Sequence, residues 1–338
     1  MNKAQGGRIN IKGTITADSG TTLNFLAKLG MRVNGNFIEI KEASVNVQVI
    51  DPQLFISQQI NGSSNYIASP GELLRYEVFF RNIGSTPFDN LFMTVKLDSP
   101  GFDISSIQPQ NGGQVNGNII VWDYKQVNGL KYLNSQEEQS VRFDVKLKDG
   151  WALSDSQKNN ITVRDIVSIS QTTQNFDTKV NSKLDFSQKG FYQGSSILNS
   201  GPVPPISGKM TTYTITWTVK DSFNDVKNIK VKANLAQNVS LTGKLDPQNE
   251  SSKFSFDSSS REIVWSAGDV SAGNSKTLSF QISLAPSESQ KYFVADLISQ
   301  ATATAEDQAT GAIITAQSNG VNTNLPDDST ASGKGTVQ

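Results

Sequence analysis

Tyr213-Thr214-Ile215-Thr216-Trp217-Thr218-Val219 alternates large apolar side chains with threonine. A period of two over a run of β-branched and aromatic residues is the pattern of a strand with one buried face. Comparable runs flank it on both sides, at Arg8 to Ala17, Leu23 to Met31, Phe37 to Val49, Leu74 to Phe80, Leu91 to Leu97, Val141 to Leu147, Asn228 to Leu235 and Leu278 to Leu284. No long stretch carries the i, i+3, i+4 spacing of an amphipathic helix. The chain is predicted to be all-β.

The strand runs repeat at an offset of about 130 to 143 residues. Leu54 to Gln58 lies over Leu184 to Gln188, Tyr76 to Phe80 over Tyr213 to Trp217, and Asn90-Leu91 over Asn228-Ile229. Ile120-Val121-Trp122 lies over Ile263-Val264-Trp265, Val141 to Leu147 over Leu278 to Leu284, and Asp165-Ile166 over Asp296-Leu297. A drifting offset means loops of different length between fixed strands. Two full domains follow, 52–182 and 183–325, with the Pro-rich stretch Gly201 to Pro205 inside the second, between its first two strands. The joints are the short segments Val49 to Leu54 and Val180 to Leu184, echoed by Val321 to Leu325, so the domains form a semi-rigid string. Residues 1–51 supply about three strands, the closing half of a further repeat, and three strands with one apolar face are marginal alone. The chain is therefore expected to be part of a longer protein, or this segment to pack on its neighbour. Residues 326–338, small and polar, are expected to form a flexible tail.

The 338 residues are 36% hydrophobic, carry 26 glycines and are only 18% charged, so the surface must be built largely from Ser, Thr, Asn and Gln. Such a surface suits an extracellular protein. Thirty basic residues against 31 acidic ones leave a net charge of −1, with no cationic block to hold a phosphate backbone; nucleic acid is not an expected partner. There is no histidine and no cysteine, which removes Ser-His-Asp and Cys-His nucleophile systems, Fe–S clusters, disulfides and ordinary zinc sites. No segment approaches 18 uncharged apolar residues, and the N-terminus Met1 to Gly7 lacks the apolar core of a signal peptide. No membrane span is expected within this chain; an export signal and an anchor are expected outside it.

With the repeat aligned, the middle domain resembles the conserved repeat domain of prokaryotic cell-surface proteins, a domain of unknown function related to immunoglobulin-like adhesion modules. The resemblance rests on Pro70-Gly71-Glu72 before Leu74 to Val78 and Asn82, on Asn90-Leu91 through Val95 and Leu97, and on Asn116-Gly117-Asn118 before Ile120-Val121-Trp122. The strand Val141 to Leu147, after an acidic turn at Glu137-Glu138, completes it. The last domain keeps Tyr213, Asn228, Trp265, Gly273 and Phe280 but has Ser207-Gly208-Lys209 in place of Pro-Gly-Glu. The resemblance implies tandem immunoglobulin-like β-sandwiches displayed on a surface, and no catalytic residues.

Tyr76, Trp122 and Phe143, with their counterparts Tyr213, Trp265 and Phe280, are expected as core anchors of the two sandwiches. Tyr124, Tyr132, Trp151 and Tyr192 fall in expected loops, where aromatic faces could stack on sugar rings. Tyr66 and Phe191 are of the same kind. Asp165 and Asp296, and the loops Asp98 to Asp103 and Asp221 to Asp225, offer oxygen ligands; calcium is the one cofactor they would suit, although no EF-hand-type loop occurs. Otherwise no cofactor is expected and no metal ligand is nominated. Lys183 or Lys189 with Asn319 or Asn322 could in principle form an isopeptide bond, but the middle domain's first strand has no lysine. No Ser-x-x-Lys, Gly-x-Ser-x-Gly or phosphate-loop motif is present, and nothing nominates a glycosidase carboxylate pair. The expected function is a non-enzymatic surface spacer or S-layer-like stalk, whose partners are neighbouring domains of a longer protein. The alternative is an adhesin that binds an envelope glycan or surface protein through loops at the sandwich ends.

Overall fold

The computed structural model describes residues 20–49, 53–153 and 159–338. It opens with a hairpin of β1 (Thr22–Val33) and β2 (Asn36–Gln48). Asn34 and Gly35 both have positive φ, the requirement of a tight two-residue hairpin turn. Leu23, Phe25 and Ala27 pair with Val47, Val45 and Ala43 along one face, yet apart from the half-buried Leu23 and Gly30 both strands are exposed. The run expected at Arg8 to Ala17 lies outside the described residues.

The first sandwich comprises β3 (Leu54–Ile60), β4 (Ile67–Ala68), β5 (Leu73–Asn82), β6 (Phe88–Asp89), β7 (Phe92–Leu97), β8 (Phe102–Pro109), β9 (Gln114–Asn116), β10 (Ile119–Asp123), β11 (Tyr132–Leu133), β12 (Glu138–Leu147), β13 (Thr162–Ile169) and β14 (Thr172–Val180). One sheet runs β3-β5-β12-β8, the other β4-β14-β13-β7-β10-β9. The second sandwich comprises β15 (Leu184–Phe191), β16 (Thr211–Asp221), β17 (Val226–Asn234), β18 (Val239–Asp246), β19 (Phe254–Phe256), β20 (Glu262–Val270), β21 (Ser275–Leu284), β22 (Asp296–Ile298), β23 (Ala301–Asp307), β24 (Ile313–Ser318) and β25 (Val321–Asn322). Its sheets run β15-β16-β21-β18 and β19-β20-β17-β23-β24, the same order as in the first sandwich except that β4 has no counterpart. The protein is all-β, with two sandwiches of like topology.

Each core forms where the alternating faces meet. Leu74, Tyr76, Val78 and Phe80 of β5 face inward beside Val141, Phe143, Val145 and Leu147 of β12; Tyr213, Ile215, Trp217 and Val219 of β16 do the same beside Leu278, Phe280, Ile282 and Leu284 of β21. Each such side chain contributes about 1.5–3 kcal/mol relative to exposure. The repeats differ in register. Gln58 pairs with Val78, whereas Gln188 pairs with Trp217, the Phe80-like position, two residues from Ile215, the counterpart of Val78 in the sequence alignment. A shift of two leaves inward residues inward, so it is compatible with either core and invisible to the hydrophobic pattern.

Residues 326–338 correct the expectation of a flexible tail. The Asp328 carboxylate accepts hydrogen bonds from the backbone N–H groups of Tyr192, Gln193, Thr330 and Ala331, and Leu325, Ala331 and Val337 are buried in the second core. Val337 exchanges backbone hydrogen bonds with Tyr292 and Phe293. The Val321 to Leu325 segment, expected as a joint, instead folds back on its own sandwich against Gly190, where a Cβ would stand 2.4 Å from Val321 Cγ1. Among the described residues no helix is long and apolar enough to cross a membrane.

Candidate functional site

A buried polar cluster forms at the joint between the sandwiches. Val180-Asn181-Ser182-Lys183 passes directly from β14 into β15, and Ser182 is buried with Asp221, Asn224 and Asp307 of the second sandwich. The Ser182 backbone N–H donates to Asp307 Oδ2 at 2.6 Å, and its hydroxyl donates to Asp221 Oδ1. Ser182 Oγ in turn accepts from the N–H groups of Phe223 and Asn224 at 3.0 and 3.1 Å. The Asn224 amide donates to Val180 O at 3.0 Å and to Asp307 Oδ2 at 2.9 Å, while its Oδ1 accepts from Ile161 N–H at 3.4 Å. At the margin, Asp225 N–H donates to Asn159 Oδ1 and the Thr310 hydroxyl to Asn181 Oδ1.

Apolar packing reinforces these bonds. Phe223, from the β16–β17 loop, is buried in the core cluster of the preceding sandwich, its ring 4.7 Å from that of Trp151. Loops at one end of the second sandwich thus close the end of the first. Burial pushes the Asp221 carboxyl up to about 7 against the Ser182 hydrogen bond, and the neighbouring Asp307 and Asp225 push it the same way. One Asp221 oxygen has no partner. Its hydrogen bonds run from the segment leaving the first sandwich to side chains of the second, so this cluster is suited to fixing two bodies together.

The six anticipated anchors, Tyr76, Trp122, Phe143, Tyr213, Trp265 and Phe280, are all buried, with Tyr76 stacked on Phe143 at 4.6 Å. Trp217 was not singled out, although the alternation that predicts its strand also turns it inward. Its indole N–H donates to Gln188 Oε1 at 2.7 Å, as those of Trp122 and Trp265 donate to Gln110 O and Glu250 Oε2. The four anticipated ligand-contact aromatics do not come together. Trp151 is committed to Phe223; Tyr192 packs on Tyr213 and donates to Gly201 O; Tyr124 packs on the first core beneath Lys125; Tyr132 is 52% exposed on the short β11.

The carboxylates are equally dispersed. Asp165 is buried within β13, whereas Asp296, its counterpart in the sequence alignment, is exposed on β22, so the two are not structural equivalents. The reason is an extra short strand, β22 paired with β25, which displaces the alignment before β23. Among the described residues no three acidic side chains converge as a cation site. Lys183 and Lys189 lie at the surface, paired with Asp149 and Asp185 and with Asp327, away from the buried setting an isopeptide bond requires.

No protein-family model and no curated protein matches this sequence, so the family-level resemblance rests on the strand pattern and its turn residues. Among solved structures, the chain is similar to the C-terminal domain of the Streptococcus pyogenes antigen I/II-family protein AspA, at 13% identity over 80% of this chain and 99% of that one, with a TM-score of 0.32. It is also similar to the C-terminal domain of the Streptococcus agalactiae AgI/II polypeptide BspA, at 11% identity over 79% and 99%, with a TM-score of 0.30.

Proposed function

We propose that this chain is a non-enzymatic spacer of a prokaryotic cell-surface protein, holding what lies beyond its ends at a set separation. The buried joint carries the reading: a linker of flexible residues would let the sandwiches swing, whereas Ser182, Asn224, Asp307 and Phe223 tie them through hydrogen bonds and shared core. A low charge content and a net charge of −1 support display in the extracellular medium, where a polar, nearly neutral surface neither attracts nor repels strongly.

Small-angle scattering of the full chain tests it. The curve is expected to fit one fixed arrangement of residues 53–338, and Asn224→Ala combined with Asp307→Ala is expected to broaden the distance distribution. A wild-type curve that only a spread of hinge angles can fit would remove the spacer reading. Labelling of intact producer cells with a membrane-impermeant amine reagent is expected to modify the exposed lysines; protection until lysis would place the protein inside.

A further inference from the structure

At the internal joint, Trp151 in the connection after β12 receives Phe223 from the β16–β17 loop. The corresponding connection of the second sandwich, after β21, carries Tyr292, Phe293 and Val294. It lies at the end away from the joint, since β21 leaves its sheet at Leu284 opposite Thr211, whereas the joint meets β16 at Asp221. Tyr292 is 77% exposed and Phe293 67%. The Tyr292 N–H donates to Val337 O at 2.8 Å and the Val337 N–H to Phe293 O at 2.9 Å, so the closing segment holds both rings out on a fixed backbone. Tyr292 has a φ of 72°, a left-handed conformation that a bulky residue adopts only under constraint. Three consecutive large apolar side chains facing water on a constrained loop mark a contact surface.

The opposite end of the pair offers the complement. The Ile83 N–H donates to Gln53 O at 2.8 Å, as the Ser222 N–H donates to Lys183 O at 3.1 Å, which matches the β5–β6 loop to the β16–β17 loop and sets Gly84 where Phe223 stands. Beside it lies an open hollow of about 710 Å³, walled by Leu54, Phe55, Ile56, Ile83 and Phe88. Phe55 is 53% exposed and Ile83 47%. No described residue of the β1–β2 hairpin lines it. Relative to the joint, knob and hollow are exchanged: the free end of the second sandwich carries the rings and the free end of the first carries the space.

We propose that copies of this chain associate head to tail, the Tyr292–Phe293 end of one seated in the Ile83–Phe88 hollow of the next. The rims are complementary. Lys209, Lys291 and Lys334 against Glu288 and Asp296 make the ring-bearing end net positive, and Asp89, Glu137 and Glu138 against Arg81 and Lys131 make the rim of the hollow net negative. A net charge of −1 leaves no strong long-range repulsion between copies. The contact joins two different surfaces at opposite ends of a stiff pair, so it propagates into a chain and does not close a dimer. That last step rests on the fixed joint of the spacer reading. Scattering at high dilution reads the joint and sedimentation reads the contact, so the two fail separately.

Sedimentation velocity of the full chain, from low micromolar to submillimolar concentration, tests the association. The weight-average sedimentation coefficient is expected to climb with concentration without levelling at a dimer. Tyr292→Ser combined with Phe293→Ser, and separately Ile83→Asp, are expected to leave monomers over the same range, each with the thermal midpoint of the wild type because these positions are exposed. Mixed together, the two variants are expected to form a one-to-one dimer and nothing larger, since each keeps one intact surface. A wild-type chain that stays monomeric, association that stops at a dimer, variants that associate like wild type, or a mixture that stays monomeric would overturn the proposal.

Discussion

Asp165 and Asp221 are buried carboxyls that nothing cationic neutralises. Burial raises both to about 7 in the folded chain, from an ordinary value of 3.8. Between those limits the folded protein holds protons that the unfolded chain has released, so stability falls as pH rises from about 4 to about 7 and levels off above. The expected gain on going from pH 8 to pH 5 is of the order of 2 kcal/mol for each group. Carboxylates of the opposite kind set the acid limit. Burial opposes ionisation of Glu77 and Asp328, but Arg142 and Ser140 in the first case and backbone N–H groups in the second outweigh it and lower both values. Asp177 is lowered chiefly by its hydrogen bonds from Arg164. Their stabilisation is lost below the carboxylate range. Urea midpoints should therefore be higher at pH 5 than at pH 8, and Asp221→Asn should remove about half of that difference. A midpoint that rises steadily from pH 5 to pH 8 would contradict the burial argument.

Among the elements, the closing segment shows most clearly how composition misleads. Pro326-Asp327-Asp328-Ser329-Thr330-Ala331-Ser332-Gly333 has the small, polar character of a tether, and no hydrophobic period distinguishes it. One carboxylate changes its fate, because Asp328 gathers four backbone N–H groups and lets Ala331 and Val337 settle on the core. Asp328→Ala should cost about 2–4 kcal/mol, since several buried donors lose their acceptor together. Limited proteolysis should then cut the chain after Leu325 well before the sandwich unfolds; resistance equal to wild type would show that the segment is held by other means. The β1–β2 hairpin is the converse case: its alternation correctly announces strands, but among the described residues no sheet faces it and it stays largely exposed.

For the whole molecule, the joint predicts coupled unfolding. Phe223 belongs to one sandwich by sequence and to the other by packing. Truncating a buried phenylalanine typically costs about 3–5 kcal/mol. Phe223→Ala should therefore lower the midpoint of the first sandwich and split one transition into two, followed through Trp122 and Trp151 on one side and Trp217 and Trp265 on the other. A single unshifted transition in the variant would show that the sandwiches are coupled by something other than this contact.

Alternation was enough to establish an all-β chain and to mark inward positions such as Trp122 and Trp265, because a period of two is a local property that survives any tertiary arrangement. Absence of histidine and cysteine bounded the chemistry in the same way. Register, the buried Ser182–Asn224–Asp307 joint, the capture of Asp328 and the free acceptor on Gln58 were not legible. Each depends on which backbone and side-chain groups far apart in the chain meet, as in the 3.0 Å contact between Gln58 and Asp165, 107 residues apart. A pattern of apolar and polar residues records which face is inward, but pairing of buried polar groups is a property of the assembled interior, where a two-residue slip between Val78 and Trp217 separates a satisfied glutamine from an unsatisfied one.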